Sequence, residues 1–210
     1  MRLAIIAICL FSVVVLLAAC SDPAANKPKA SVGNAAPEKG KQGGETLTIT
    51  PENSKVEFVA SKVTRSHNGG FKQFSGTIDL INSDPLQSVV SISIDAGSVT
   101  TDEPDLTKHL QTPDFFDVAK YPKATFVSTK IEPSTANGAT HSVTGNFDLH
   151  GIKKSISFPA TIQVAATSVS VNAEFAINRK DFNLNYPGKA DDLIRDGVLI
   201  KLALNVPRRP

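Results

Sequence analysis

ISFPATIQVAATSVSVNAEFAI, residues 156–177, sets two runs of alternating apolar side chains end to end. Ile156, Phe158, Ala160, Ile162 and Val164 make the first apolar face, and Val169, Val171, Ala173, Phe175 and Ile177 the second. Residues at i and i+2 share one face of a strand, so each run has one dry and one wet face. The same period recurs outward in both directions. Toward the C-terminus, Val198, Ile200, Leu202, Leu204 and Val206 alternate. Toward the N-terminus come Val143–Leu149, a strand near Lys123–Ile131, Val90–Ile94, Phe74–Leu80 and Val56–Ala60. About eight strands result. Turn residues separate them: Asn68-Gly69-Gly70, Ser83-Asp84-Pro85, Asn137-Gly138 and His150-Gly151.

Long strands on short turns predict a meandering antiparallel sheet. There is too little helix to cover an open sheet of that size. Closing it on itself buries the dry faces and removes the edges. The expectation is an all-β fold: a closed eight-stranded antiparallel barrel, with a two-sheet sandwich as the competing arrangement. An eight-stranded interior is filled by side chains or holds one small ligand.

Between two of the strands lies KHLQTPDFFDVAKYP, residues 108–122. A short helix is expected just before and into it. Thr101 or Asp102 is placed to cap it, Pro104 fits its first turn, and Pro113 stops it. Leu106, His109 and Leu110 share a face, and Phe115 and Phe116 follow the stop. The economical place for this segment is across one end of the barrel, as a core plug or as a lid. Leu110, Phe115 and Phe116 are the mouth candidates.

The chemistry of the folded part is sparse. The chain has 22 basic and 20 acidic residues, which gives no clustered basic footprint for nucleic acid. Its four histidines form no short ligand motif and read as surface or capping residues. Asp181, Asp191, Asp192 and Asp196 lack the order of a calcium loop. No nucleophile elbow or phosphate-cradling loop occurs, so neither catalysis nor a metal or cofactor is expected. The loop 178–197 is long enough to be functional. Arg179 in it reads as an ion-pair partner or as a holder of a polar head at the mouth.

The N-terminus reads as a processing signal. Arg2 precedes an apolar run from Leu3 to Leu17, interrupted by Ser12, and Leu17-Ala18-Ala19-Cys20 resembles a bacterial lipobox. The competing reading is an uncleaved membrane anchor. The expected organisation is a signal peptide over 1–19, then an acylated Cys20 and a disordered tether over 20–45, a barrel domain over 46–206, and a tail over 207–210. The tether holds three prolines, four glycines and no aromatic residue, too little apolar surface to offset its ordering entropy. As a coil it would span about 25–30 Å. The protein is thus expected in the bacterial cell envelope, lipid-anchored and facing the periplasm. Ser21 after Cys20 points to the outer membrane.

Six ordered segments bring a family into view: SKVEF (54–58), GGFKQFSGTIDL (69–80), SISIDAGSVTTD (91–102), KHLQTPDFFDVAKYPKATF (108–126), VTGNFDLHGIKKSISFP (143–159) and FAINRKDFNLNYPG (175–188). In this order they resemble the YceI-like family of polyisoprenoid-binding proteins over about 46–206. The resemblance implies a lipocalin-like barrel that holds an isoprenoid-type lipid or a quinone and has no catalytic residues. Phe58, Phe74, Phe126, Phe147, Phe158, Phe175 and Leu202, on dry strand faces, are the expected pocket lining. A barrel packed solid, in a structural or stress-protective lipoprotein, is the alternative; small residues such as Ala60, Ala160 and Ala173 favour a cavity.

Overall fold

The computed structural model describes residues 22–40 and 43–208. The expected signal peptide and Cys20 lie outside them. The elements in chain order are β1 (Ser31–Asn34), β2 (Glu45–Ile49), β3 (Ser54–Ser61), β4 (Ser66–Phe71), β5 (Phe74–Ile81), β6 (Asp84–Asp95), β7 (Val99–Thr101), α1 (Pro104–Leu110), β8 (Lys123–Pro133), β9 (His141–Leu149), β10 (Ile152–Val164), β11 (Ser168–Asn178), β12 (Gly188–Lys189), β13 (Asp192–Leu193) and β14 (Gly197–Pro207).

The fold is all-β and mostly antiparallel, as the alternation requires. Eleven strands run β2-β5-β6-β8-β9-β10-β11-β14-β3-β4-β7, and β1 joins β10 from outside that path. Among the described residues no ladder joins β2 to β7. The sheet is therefore strongly curled but open, which corrects the closed eight-stranded barrel. The extra strands are short. β4 is SHNGGF, whose glycines read as a turn. It pairs with β3 instead, Phe58 opposite Gly69. A Cβ at Gly69 would stand 2.2 Å from the Phe58 ring, so the position takes a strand glycine covered by an aromatic face. The β9–β10 turn is as expected: His150 and Gly151 both hold positive φ, 55° and 73°, the pair that a tight hairpin needs.

The dry faces meet inside the curl. Phe158 and Phe175 stack there, with centroids 4.1 Å apart and planes 10° apart. Such a pair adds about 0.5–1.5 kcal/mol beyond its buried area.

The two ends of the curl differ. One gathers the end of β3, the start of β14, the end of β11 and α1; we call it the lidded end. α1 begins at Pro104 with Glu103 at the cap, whose side chain makes no capping hydrogen bond. Neither Thr101 nor Asp102 is the cap residue. Asp102 instead accepts from the Asn68 amide at 3.0 Å and faces His67 Nδ1 at 2.8 Å. At the far end, Arg208 donates to Glu45 at 2.9 Å, to the Ala165 carbonyl at 2.9 Å and to Ser83 at 3.1 Å. It draws β2 and two hairpins together.

Residues 22–38 do not form the free coil expected of their composition. β10 pairs with β11 only over Thr161–Val164, while Lys154–Ser157 of β10 pair with β1. Pro159 stands between the two stretches and has no amide to donate. The N-terminal segment fills the seam that results. Ala30 donates to the Ala176 carbonyl at 2.9 Å, and the Ala176 amide donates to Pro28 at 2.8 Å. Lys27 pairs with Glu174, and Lys153 with Glu38 at 2.7 Å. Asn146 accepts from the Ala36 amide at 2.9 Å and donates to its carbonyl at 2.7 Å. Unpaired strand backbone is a strong partner for any extended segment, whatever its side chains.

Candidate functional site

Alternation aims one side chain in two from β3, β6, β8, β9, β10, β11 and β14 into the curl. They leave a cavity of about 160 Å³. Its wall includes Phe58, Phe126, Phe147, Phe158, Phe175 and Leu202, with Ile92, Ile94, Ile156 and Ile200 between them. Phe74 does not line it. That ring is buried in the same apolar core, but at the first position of β5, beside a surface groove formed with Pro51, Ser54 and Lys72.

Leu110, Phe115 and Phe116 close the lidded end and reach the cavity. The turn after α1 is bonded mainly to itself: Phe115 N–H to the Thr112 carbonyl and Phe116 N–H to the Leu110 carbonyl, both at 3.0 Å. Gln111 ties it to the Gly97 carbonyl at 3.0 Å. α1 is tied to β7 where the Thr101 amide donates to Thr107 Oγ1 at 2.9 Å, and rings hold the rest of the lid. Phe115 lies 5.0 Å from His109 and 5.2 Å from Tyr186, and Phe116 lies 6.0 Å from Phe71. Of the residues that sequence reasoning did not name for the site, Phe71, Leu184 and Ile194 line the cavity from outside the main strand faces, and Tyr186 packs on Phe115. For Tyr186 the signal was present, since Tyr186-Pro187 reads as a turn beside the mouth. Phe71 was lost with the misread Gly-Gly.

Arg179 is 4% exposed and reaches the cavity wall. Its Nε donates to the Arg195 carbonyl at 3.1 Å, Nη1 to the Leu184 carbonyl, and Nη2 to the Ile194 carbonyl at 3.3 Å. Asp196 is 3.4 Å away. Burial pushes the guanidinium below its ordinary pKa, and Asp196 opposes that shift. An arginine stays protonated under such a load, so the loop carbonyls solvate a buried charge. Arg179 thus staples the loop 184–196 to the wall.

The remaining polar groups are dispersed. Asp192 meets Lys62 and Thr64, while Asp181 is 3.9 Å from Lys154. His67 is buried rather than on the surface, since Arg65 Nε donates to its Nε2 at 3.0 Å while Asp102 takes Nδ1. Among the described residues no three His, Cys, Asp or Glu side chains gather as metal donors.

A curled sheet around an apolar cavity, capped by a helix and an aromatic turn, defines a class of fold with a hollow interior. The YceI-like domain model matches residues 47–206, and the chain belongs to that family. A UPF0312 protein of Pseudomonas putida strain W619 is 32% identical over 127 residues, 58% of this chain and 65% of its own length. Protein YceI of Salmonella arizonae is 33% identical over 122 residues, 55% of this chain and 62% of its own. The chain thus spans less than two thirds of either relative. The solved structure of Burkholderia cenocepacia BcnA is similar at a TM-score of 0.65 and 27% identity, over 75% of this chain and 98% of BcnA. A polyisoprenoid binding domain from Saccharophagus degradans shares the fold at a TM-score of 0.61 and 21% identity, over 79% of this chain and 99% of that domain. The family match begins at residue 47, so the N-terminal segment 22–38, which straps β10 and β11, lies outside the matched domain.

Proposed function

We propose that this domain binds one long hydrophobic chain, of isoprenoid or quinone type, and carries or sequesters it without transforming it. We propose further that the mature protein is held in the bacterial envelope by an acylated Cys20, facing the periplasm at the outer membrane. The observation that carries the binding reading is the cavity: 160 Å³ of space walled by phenylalanine and aliphatic side chains. An apolar hollow with few polar groups suits a hydrophobic ligand. The likeness in fold to a polyisoprenoid binding domain agrees with this.

The volume also bears on how loading would work. A hollow of about 150 Å³ takes a benzene-sized group, whereas ligand sites usually span about 300–1,000 Å³. A long chain needs more room than this conformation has. The lid is the part able to supply it, because few backbone hydrogen bonds tie it to the strands. The same volume weighs against a sheet packed solid, the structural-lipoprotein alternative, since protein interiors leave few voids larger than a water.

The test is native mass spectrometry of the full chain extracted gently from membranes, followed by organic extraction. A stoichiometric extra mass that extracts as a prenyl chain or quinone is the expected result. A bare protein mass, with no uptake of added isoprenoid lipid, overturns the carrier reading.

A further inference from the structure

The N-terminal strap is pinned at the lidded end. Ala24 is 3% exposed and packs on Val59, Ala176 and Leu199, which lie near the lidded ends of β3, β11 and β14. Its Cβ is 3.1 Å from where a Cβ on Gly197, the first residue of β14, would stand. The Ala24 amide donates to Asp22 at 3.0 Å, so the turn is ordered back to residue 22. Two residues reach at most about 7 Å. By chain length alone, an anchor at Cys20 would lie within about 7 Å of Asp22.

The same end carries the most exposed large apolar side chains among the described residues. Val63 is 52% exposed and Leu193 49%, against 37% for Val32 and for Leu86. Val63 and Leu193 are neighbours: the Val63 amide donates to the Leu193 carbonyl at 3.1 Å. Lys62 pairs with Asp192, and the Arg195 amide donates to Ser61 at 2.8 Å. The β3–β4 turn and the β12–β13 hairpin thus form one braced prong. The prong therefore sits next to the mouth, with Leu193 exposed and the following residue, Ile194, on the cavity wall.

We infer that the lidded end is a membrane-docking face, with Val63 and Leu193 seated in the lipid surface and the strap holding the cavity mouth toward it. This rests on the anchored-carrier reading above. A protein partner fits the face poorly, because a stable protein interface needs about 800 Å² per side and two side chains fall far short. A lipid surface accepts isolated apolar side chains, and an acyl group on Cys20 would be attached within about 7 Å of Asp22, at this same end. A hydrophobic chain could then pass from bilayer to cavity along Leu193 and Ile194 without crossing water.

The experiment places a diazirine-bearing amino acid at Val63, at Leu193 or at Leu86 of the full chain in bacterial membranes. Illumination is followed by mass spectrometry of lipid adducts. All three sites are exposed, so the fold is not at stake, and Leu86 on the β5–β6 hairpin marks the far end. Adducts at Val63 and Leu193 at least tenfold above Leu86 are expected. A membrane-bound chain with equal yields at all three sites overturns the docking face and leaves the carrier reading standing. A chain recovered as soluble overturns the docking face together with the anchor, while its extracted mass still judges cavity binding.

Discussion

At the far end of the curl, one arginine gathers a carboxylate, a carbonyl and a hydroxyl, and the hairpins close on their own backbone bonds. At the lidded end, a seven-residue helix and two phenylalanines lean on Tyr186, His109 and Phe71. Directed bonds hold the first end. At the second, Arg179 staples the loop 184–196 and Thr107 ties α1 to β7, but the aromatic turn over the cavity rests mainly on non-directional ring contacts, and these re-form in many geometries. On the proposed carrier reading, the contrast makes the lidded end the place where a ligand would enter. The apolar prong and the pinned strap lie at that same end.

The comparison breaks first at the cavity wall that the two ends share. Phe158→Ala removes one ring of the stacked pair and should cost about 3–5 kcal/mol, read from urea unfolding. A loss below about 1 kcal/mol would mean that the wall is already loose. Arg179→Met leaves three loop carbonyls without their donor. We expect a loss of about 2–3 kcal/mol, with hydrogen-exchange protection falling over residues 184–196 and not at the far end. Phe115→Ala should release a bound prenyl chain about tenfold faster, equivalent to about 1.4 kcal/mol, measured by transfer to acceptor vesicles. Arg208→Ala is the matched change at the other end: about 1 kcal/mol of stability, with the release rate unchanged. Equal acceleration by both variants would remove the distinction between the ends.

The smallest effect concerns the strap. Lys153, with Asn146, holds the Glu38 carboxyl below its ordinary pKa, and Lys27 does the same for Glu174. A lowered carboxylate adds stability that is complete above the unfolded value, about pH 4.3, and is lost as pH falls through the lowered one. Exchange protection of the Ala30 and Ala176 amides should therefore weaken below about pH 4 while the sheet amides hold. Unchanged protection there would show that the backbone ladder alone keeps the strap in place.

Much of the site was legible in residue order. Phe58, Phe126, Phe147, Phe158, Phe175 and Leu202 reach the cavity because alternation is local and the dry face had to point inward. Leu110, Phe115 and Phe116 reach it because an apolar insert between two strands has only the sheet's end to cover. Phe74 shares the pattern and misses the cavity, since the period says which face a ring is on but not how far along the curl it stands. Asn68-Gly69-Gly70 looked like a turn because glycine reads the same in a turn and beneath an aromatic ring. Only the Phe58 ring opposite Gly69 separates the two.

The amino-acid sequence by itself determined an all-β chain with one apolar insert and an apolar interior, because strand period and helix stops are written within a few residues. Tertiary structure alone decided three things. It left the curl open between β2 and β7, it set the cavity at 160 Å³, and it turned a segment with the composition of a free coil into a strap. Each depends on distant residues at once. A volume is a sum over facing walls, and the strap is ordered by backbone groups that β10 and β11 leave unpaired around Pro159, more than a hundred residues away.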